Sequence, residues 1–292
     1  MIGLSSCLKE FDNFYPYRVD SLSYLDQLQE EHMFQIFDNK SGLEFFADDV
    51  IKITISPYTF EQSVDSVIFK WKILSNSGEY VSNRVSFIDE NNVLISGIKV
   101  IEYDVFDKAG KQLNQLKSIK FGIPFNSIDD MSAFRYNGNT WFKSSLESDI
   151  IDFGSWEIIN GENVQIREGY IVNTMKQGLL MIGYEIPHEN SVSRLNIQLP
   201  DNFDVENSIV QILDSKHFNN LELNWDKDQK RFVIPDNIIL PVNGLNIIVL
   251  SEDENKKPFF GMKYAVVNNN ENISIELNQT RVEDIKAILG EL

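Results

Sequence analysis

Apolar and polar residues alternate with a period of two along much of this chain. Within residues 93–143, Ile101, Tyr103 and Val105 alternate with Glu102 and Asp104, and Ile119, Phe121 and Ile123 alternate with Lys120 and Gly122. Successive side chains of a strand point to opposite faces, so this pattern predicts strands with one face in a core and the other in water. Turn residues separate them. Asp107-Lys-Ala-Gly110 makes one turn, and Asn137-Gly138 is the dipeptide that most favours a tight type I′ hairpin. Pro124 ends the middle strand because it cannot donate to a ladder.

The pattern extends in both directions. Strands are predicted at 32–38, 51–55, 69–73 and 85–87, with breaks at Asn39-Lys-Ser-Gly42, Pro57 and Asn76-Ser-Gly78. Leu22, Leu25 and Leu28 have helical spacing, but the run at 21–31 is short and its type stays open. The polar stretch 144–152 reads as a loop. Short strands follow at 156–159, 164–166, 170–174 and 179–186, broken by Gly161, Gly169 and Gly178. Pro187-His-Glu-Asn190 interrupts the pattern, and a second series begins at 195–199, 209–213, 221–225, 231–234, 245–250, 261–267 and 273–277. Such short, evenly spaced strands predict sandwiches. A capping box, Thr280-Arg-Val-Glu283, then opens a terminal helix whose Val282, Ile285, Ile288, Leu289 and Leu292 share one face.

The fold expected is all-β: two tandem antiparallel β-sandwich (Ig-like) domains with a short C-terminal helix. Residues 1–20 form a tether, 21–187 the first domain and 188–292 the second. The apolar content, 42% with 12% aromatic, is enough for sizeable cores. A charge of −18, from 26 basic and 44 acidic residues, opposes nucleic acids and anionic lipid surfaces, whose phosphates need a cationic face. No apolar run approaches the roughly 18 residues of a membrane span.

The single cysteine rules out an intramolecular disulfide or a multi-cysteine metal site. Its position is informative. Leu4-Ser5-Ser6-Cys7 has the order of a bacterial lipobox, an aliphatic residue and two small ones before the cysteine that becomes acylated. Lys9, Glu10, Asp12 and Asn13 follow as a polar tether. The alternative is an ordinary N-terminus with an incidental cysteine. On the lipobox reading Cys7 is a lipidation site, and the chain is anchored to the outer membrane, facing the periplasm or the cell surface.

One family joins these features. The succession ITISPYTF (53–60), FKWKIL (69–74), NNVLISGIKVIEYDVFDKAGKQL (91–113), IKFGIP (119–124), MSAF (131–134) and Trp141 resembles the β domain of Bacteroidota envelope lipoproteins. That domain is in turn similar to the spectrin-binding domain of ankyrins and netrin receptors. The resemblance covers residues 32–187. It departs from the family at Ala133, where Leu is usual, and at Gly183-Tyr-Glu-Ile186, where a Trp-containing end with Asn-Cys-Asp is usual, so no metal or redox role carries over. Segments 232–251 and 259–267 more weakly resemble a transthyretin-like or carboxypeptidase-regulatory-like sandwich.

No residue set reads as catalytic. There is no G-x-S-x-G elbow, and Ser155 fits a turn. His32, His188 and His217 are scattered, with no pair at zinc-binding spacing. The acids at Asp48-Asp49, Asp129-Asp130 and 252–254 could act as a glycosidase pair if two lay about 5–10 Å apart in a cleft, but on so acidic a chain they read as solvated. Asp226-x-Asp228 lacks the third acid and glycine of a calcium loop. Trp71 and Trp225 fall in register with core positions. Trp141 and Trp156 stand at strand ends, either as core or as exposed sugar-stacking contacts. The function expected is non-catalytic binding or scaffolding in the envelope, without cofactor or metal, toward an envelope protein or glycan. The alternatives are a carbohydrate-active enzyme or accessory module, and a structural subunit that docks through Ile285, Ile288 and Leu289.

Overall fold

The alternating strands close into two face-to-face pairs of sheets joined by a layer of short helices. The computed structural model describes residues 22–48, 51–138, 140–145, 148–160, 163–186, 191–192, 195–214, 216, 219–235, 238, 240–241, 244–266 and 271–292. The first part of the chain runs α1 (Leu25–Leu28), β1 (Met33–Asp38), β2 (Leu43–Ala47), β3 (Ile51–Ile55), β4 (Ser66–Leu74), α2 (Ser77–Ser82), β5 (Ile95–Asp107), β6 (Ile119–Pro124), β7 (Ser132–Tyr136), β8 (Trp141–Lys143), β9 (Asp149–Asn160), β10 (Asn163–Thr174) and β11 (Gly178–Glu185). Its sheets have the orders β1-β4-β5-β11-β7-β8 and β2-β3-β6-β10-β9. Ile51, Ile53, Ile119, Phe121 and Val172 from one sheet meet Phe69, Trp71, Ile101, Tyr103 and Leu180 from the other in one core.

The second part runs β12 (Ser191–Val192), β13 (Leu195–Gln198), β14 (Ser208–Asp214), β15 (Asn219–Glu222), β16 (Asn224–Asp226), β17 (Arg231–Val233), β18 (Leu240–Pro241), β19 (Gly244–Glu252), β20 (Pro258–Val266), β21 (Glu271–Ser274), β22 (Asn278–Gln279) and α3 (Val282–Gly290). Sheets β16-β17-β13-β21 and β15-β14-β19-β20-β22 enclose Ile197, Phe232, Ile212, Ile247 and Val249. The β13–β21 pair is parallel, an exception to the antiparallel expectation. The segment 221–225, read as one strand, is broken at Leu223: β15 belongs to one sheet and β16 to the other.

The helices differ most from expectation. Asn76-Ser-Gly78 is not a turn but the start of α2, where the Asn76 side chain accepts from the Glu79 N–H at 2.9 Å and the Glu79 carboxylate returns to the Asn76 N–H. This is a capping box with Asn in the hydroxyl's place. The box expected at Thr280 does not form. Arg281 is the α3 N-cap without a side-chain cap, and the Thr280 hydroxyl donates to Asn278 O. Both faces of α2 are covered. Tyr80 packs with Phe87, Val100 and Trp141 on the outer face of the six-stranded sheet. Val81 joins Leu25, Leu28, Ile285 and Leu289 on the outer face of the β14–β19–β20 sheet. The apolar side of α3 is thus occupied by its own chain, which removes it as the expected docking face of a structural subunit.

Polar contacts reinforce this junction. Arg84 holds Glu222 through Nε at 3.0 Å and Nη2 at 2.6 Å. Gln211 donates to Val81 O at 3.0 Å, and Asn220 donates to Val85 O at 2.9 Å. Residues 187–190, expected as the domain boundary, lie outside the described residues.

Candidate functional site

The polar stretch 144–152, expected as a loop, contains the start of β9. This strand and β10 form a hairpin of two 12-residue strands in continuous register from Asp149↔Thr174 to Asn160↔Asn163. Gly169, expected as a break, faces Gly154 inside it. A Cβ on Gly169 would stand 2.1 Å from Ile123 O, so the close approach of β6 requires glycine there.

The hairpin is rooted by a buried ion pair. Arg135 on β7 meets Asp149 on β9 through Nε at 3.0 Å and Nη2 at 2.7 Å. Thr174 also accepts from Arg135, and Ser144 donates to Asp149. Burial pushes the Asp149 carboxyl up, but these hydrogen bonds and the guanidinium charge outweigh burial and hold it below the usual carboxylate range.

Beyond this root the hairpin overhangs residues 124–128. Phe153 stacks edge-on against Tyr170 at 5.3 Å. The Tyr170 hydroxyl accepts from Ile128 N at 2.6 Å and donates to Ile128 O at 3.0 Å, fixing the loop from the strand side. Between them lies an 850 Å³ cleft lined by Pro124, Phe125, Asn126, Ser127, Phe153, Ile166, Arg167 and Glu168. Phe153 is 45% and Ile166 70% exposed. An apolar platform beside one cation and one carboxylate can hold a ligand that offers an apolar face and a few polar groups. Tyr170→Phe removes both bonds to Ile128. It is expected to cost about 1 kcal/mol in denaturant unfolding and to speed hydrogen exchange at the Ile128 amide, with the strand amides of β6 unchanged.

The expected site residues fall elsewhere. Trp141 is fully buried; its Nε1–H donates to Ser86 O at 2.9 Å and its ring packs on Tyr136. It therefore offers no face to a ligand, because residues 86–90 fold over it. Trp156 is also buried, its indole lying across Gly122, where an added Cβ would meet the ring at 3.1 Å. It borders a 160 Å³ depression with Glu44, Lys52 and Lys120, and its Nε1–H has no partner. Cys7, His188 and His217 lie outside the described residues. His32 is 3.1 Å from Glu102.

Of the acids singled out, Asp226, Glu252 and Asp253 serve local structure. Asp226 accepts from the N–H groups of Asp228 and Gln229, and Asp253 from those of Asn255 and Lys257. Glu252 anchors Ser23 and Lys256. Among the described residues, no three His, Cys, Asp or Glu side chains are grouped to hold a metal ion, and no helix is long and apolar enough to cross a membrane.

Sequence reasoning missed Phe153, Ile166 and Arg167. The signal for Ile166 was present, since Val164, Ile166 and Tyr170 share one strand face while β10 outruns the core beneath it. No family model matches this chain, and neither a curated protein nor a solved structure matches it significantly.

Proposed function

We propose that this chain is a lipid-anchored envelope protein that holds a partner, without transforming it, in the cleft between the β9–β10 hairpin and residues 124–128. The observation that carries the binding reading is the exposure of Phe153 and Ile166 beside that cleft. Large apolar side chains grouped at a concave surface are costly in water and are commonly covered by a ligand or another protein. The envelope address draws on the Leu4–Cys7 lipobox and on the resemblance of residues 32–187 to Bacteroidota lipoprotein β domains. The partner class is an envelope protein or a glycan.

A photo-crosslinking residue at position 166, in cells expressing the chain, is expected to capture an adduct that the same residue at the exposed turn position 108 does not. Identical adducts from both positions, or none from 166, contradict the cleft. The carbohydrate-active alternative needs a second carboxylate facing Glu168, the one acid of this lining. Hydrolysis of an envelope polysaccharide that disappears in Glu168→Gln would favour that alternative over binding alone.

A further inference from the structure

Strand β1 is an edge. It pairs along its whole length with β4, from Met33↔Trp71 to Asp38↔Ser66, and no described strand pairs with its other side. The side chains of Met33, Phe34 and Ile36 are 61%, 67% and 55% exposed. Sheet edges of soluble proteins are usually blunted by lysine, proline, a bulge or inward charge. Residues 33–37 carry none of these, and the register is unbroken.

The direction of the backbone groups follows from the ladder. Asn39 donates its N–H to Asp65 O at 3.0 Å, continuing the β1–β4 register by one pair. Antiparallel residues alternate between facing the partner strand and facing away. Residues 33, 35 and 37 therefore bond to β4, and the N–H and C=O groups of Phe34 and Ile36 face outward.

The sequence His32-Met-Phe-Gln-Ile-Phe-Asp38 is symmetric in character about Gln35. We propose that β1 pairs antiparallel with β1 of a second copy, about a two-fold axis at Gln35. This register sets Phe34 opposite the copy's Ile36, so the outward backbone groups exchange bonds in two equivalent narrow pairs. It sets His32 opposite Asp38, a donor facing an acceptor, and brings no acid against an acid. The pattern of the strand selects a copy over an unrelated strand: a chain at −18 opposes self-association in general, yet this strand carries no acid or base at 33–37 and sets a hydrogen-bond donor against an acceptor at each end. The contact is isologous and closes at two chains.

Sedimentation of the full chain carrying Cys7→Ala, from about 1 to about 100 μM, the range of weak homodimers, tests this. The mass is expected to rise from 33.7 kDa toward twice that value. Phe34→Lys and Ile36→Lys should each weaken dimerisation at least tenfold while leaving circular dichroism and thermal unfolding unchanged. Because Gln35 would face its symmetry mate in a non-hydrogen-bonded pair, about 4.5 Å between Cα atoms, Gln35→Cys should form an intermolecular disulfide under mild oxidation, and Ser66→Cys should not. A chain that stays monomeric throughout overturns the proposal, including the case in which this edge takes an extended segment of another protein. Lysine variants that still dimerise, or a Gln35→Cys dimer that does not cross-link, overturn it equally.

Discussion

Arg135→Met is expected to lower the stability of the fold by about 3–5 kcal/mol, because it leaves the Asp149 carboxylate buried without its partner. Asp149 is 2% and Arg135 4% exposed, so water cannot replace the lost guanidinium. The double variant Arg135→Met/Asp149→Leu should recover most of that loss, since a buried pair exchanged for apolar residues of similar size is often neutral. The remaining polar groups keep other partners: Thr174 donates to Lys176 O at 3.2 Å, and Ser144 shares a bond with Ser148 at 2.8 Å.

The same pair sets a pH dependence. In the folded wild type Asp149 is held below its ordinary carboxylate range, so the unfolded chain takes up this proton first. Its contribution is complete above the unfolded value, about pH 4, and is lost as pH falls through the lower folded value. In Arg135→Met the lowering by the guanidinium is gone, and burial, opposed only by the neighbouring hydroxyls, pushes the carboxyl up relative to the wild type, so protonation relieves the variant. The difference in stability between wild type and variant should therefore shrink on acidification, in denaturant titrations at a series of pH values. A difference independent of pH would assign the loss to packing and not to the ion pair.

Gly78→Ala is expected to cost about 1–3 kcal/mol, although alanine is intrinsically better in a helix by about 0.5–1 kcal/mol. A Cβ on Gly78 would stand 1.8 Å from Leu289 O, a backbone atom with no rotamer to escape through. Helix α2 and helix α3 must separate to admit it. Since α3 covers Ile248, Leu250 and Phe260, hydrogen exchange should rise in α3 and in β20 together. Gly290→Ala, which meets nothing within 4 Å, is the control and should be neutral or slightly stabilising.

The strands that bury one face were legible, because a core on one side and water on the other is what writes a period of two. β3, β4, β5 and β6 lie within a few residues of their expected positions. The features that failed depend on partners distant in sequence. β9 begins at polar Asp149 because Arg135 neutralises it within the fold, and no local pattern encodes that pairing. α2 has no polar stripe, since Tyr80 and Val81 are buried on opposite sides, and six residues are too few for a helical period. Its Asn76–Glu79 capping box was readable and was passed over because Asn-Ser-Gly is also turn chemistry.

The β7–β8 hairpin shows the limits of a dipeptide signal. Asn137 N–H donates to Thr140 O at 3.2 Å, so Gly138 is the first central residue of the turn and Asn137 precedes it. Trp141, open between core and ligand contact because it starts a short strand, is buried by residues 86–90, some fifty positions earlier. β2 escaped notice because Phe45 and Phe46 stand on opposite faces and blur the alternation. Of the cleft only the strand face carrying Ile166 was legible, since the concavity exists only where Tyr170 pins Ile128 under the overhanging hairpin.

The most direct test of the envelope assignment is detergent-phase partitioning of the chain expressed from its own gene in its native host, beside its Cys7→Ala variant. The account predicts that the wild type enters the detergent phase and that Cys7→Ala stays in the aqueous phase. A Cys7→Ala variant that still partitions into detergent, or a wild type that does not, would contradict it.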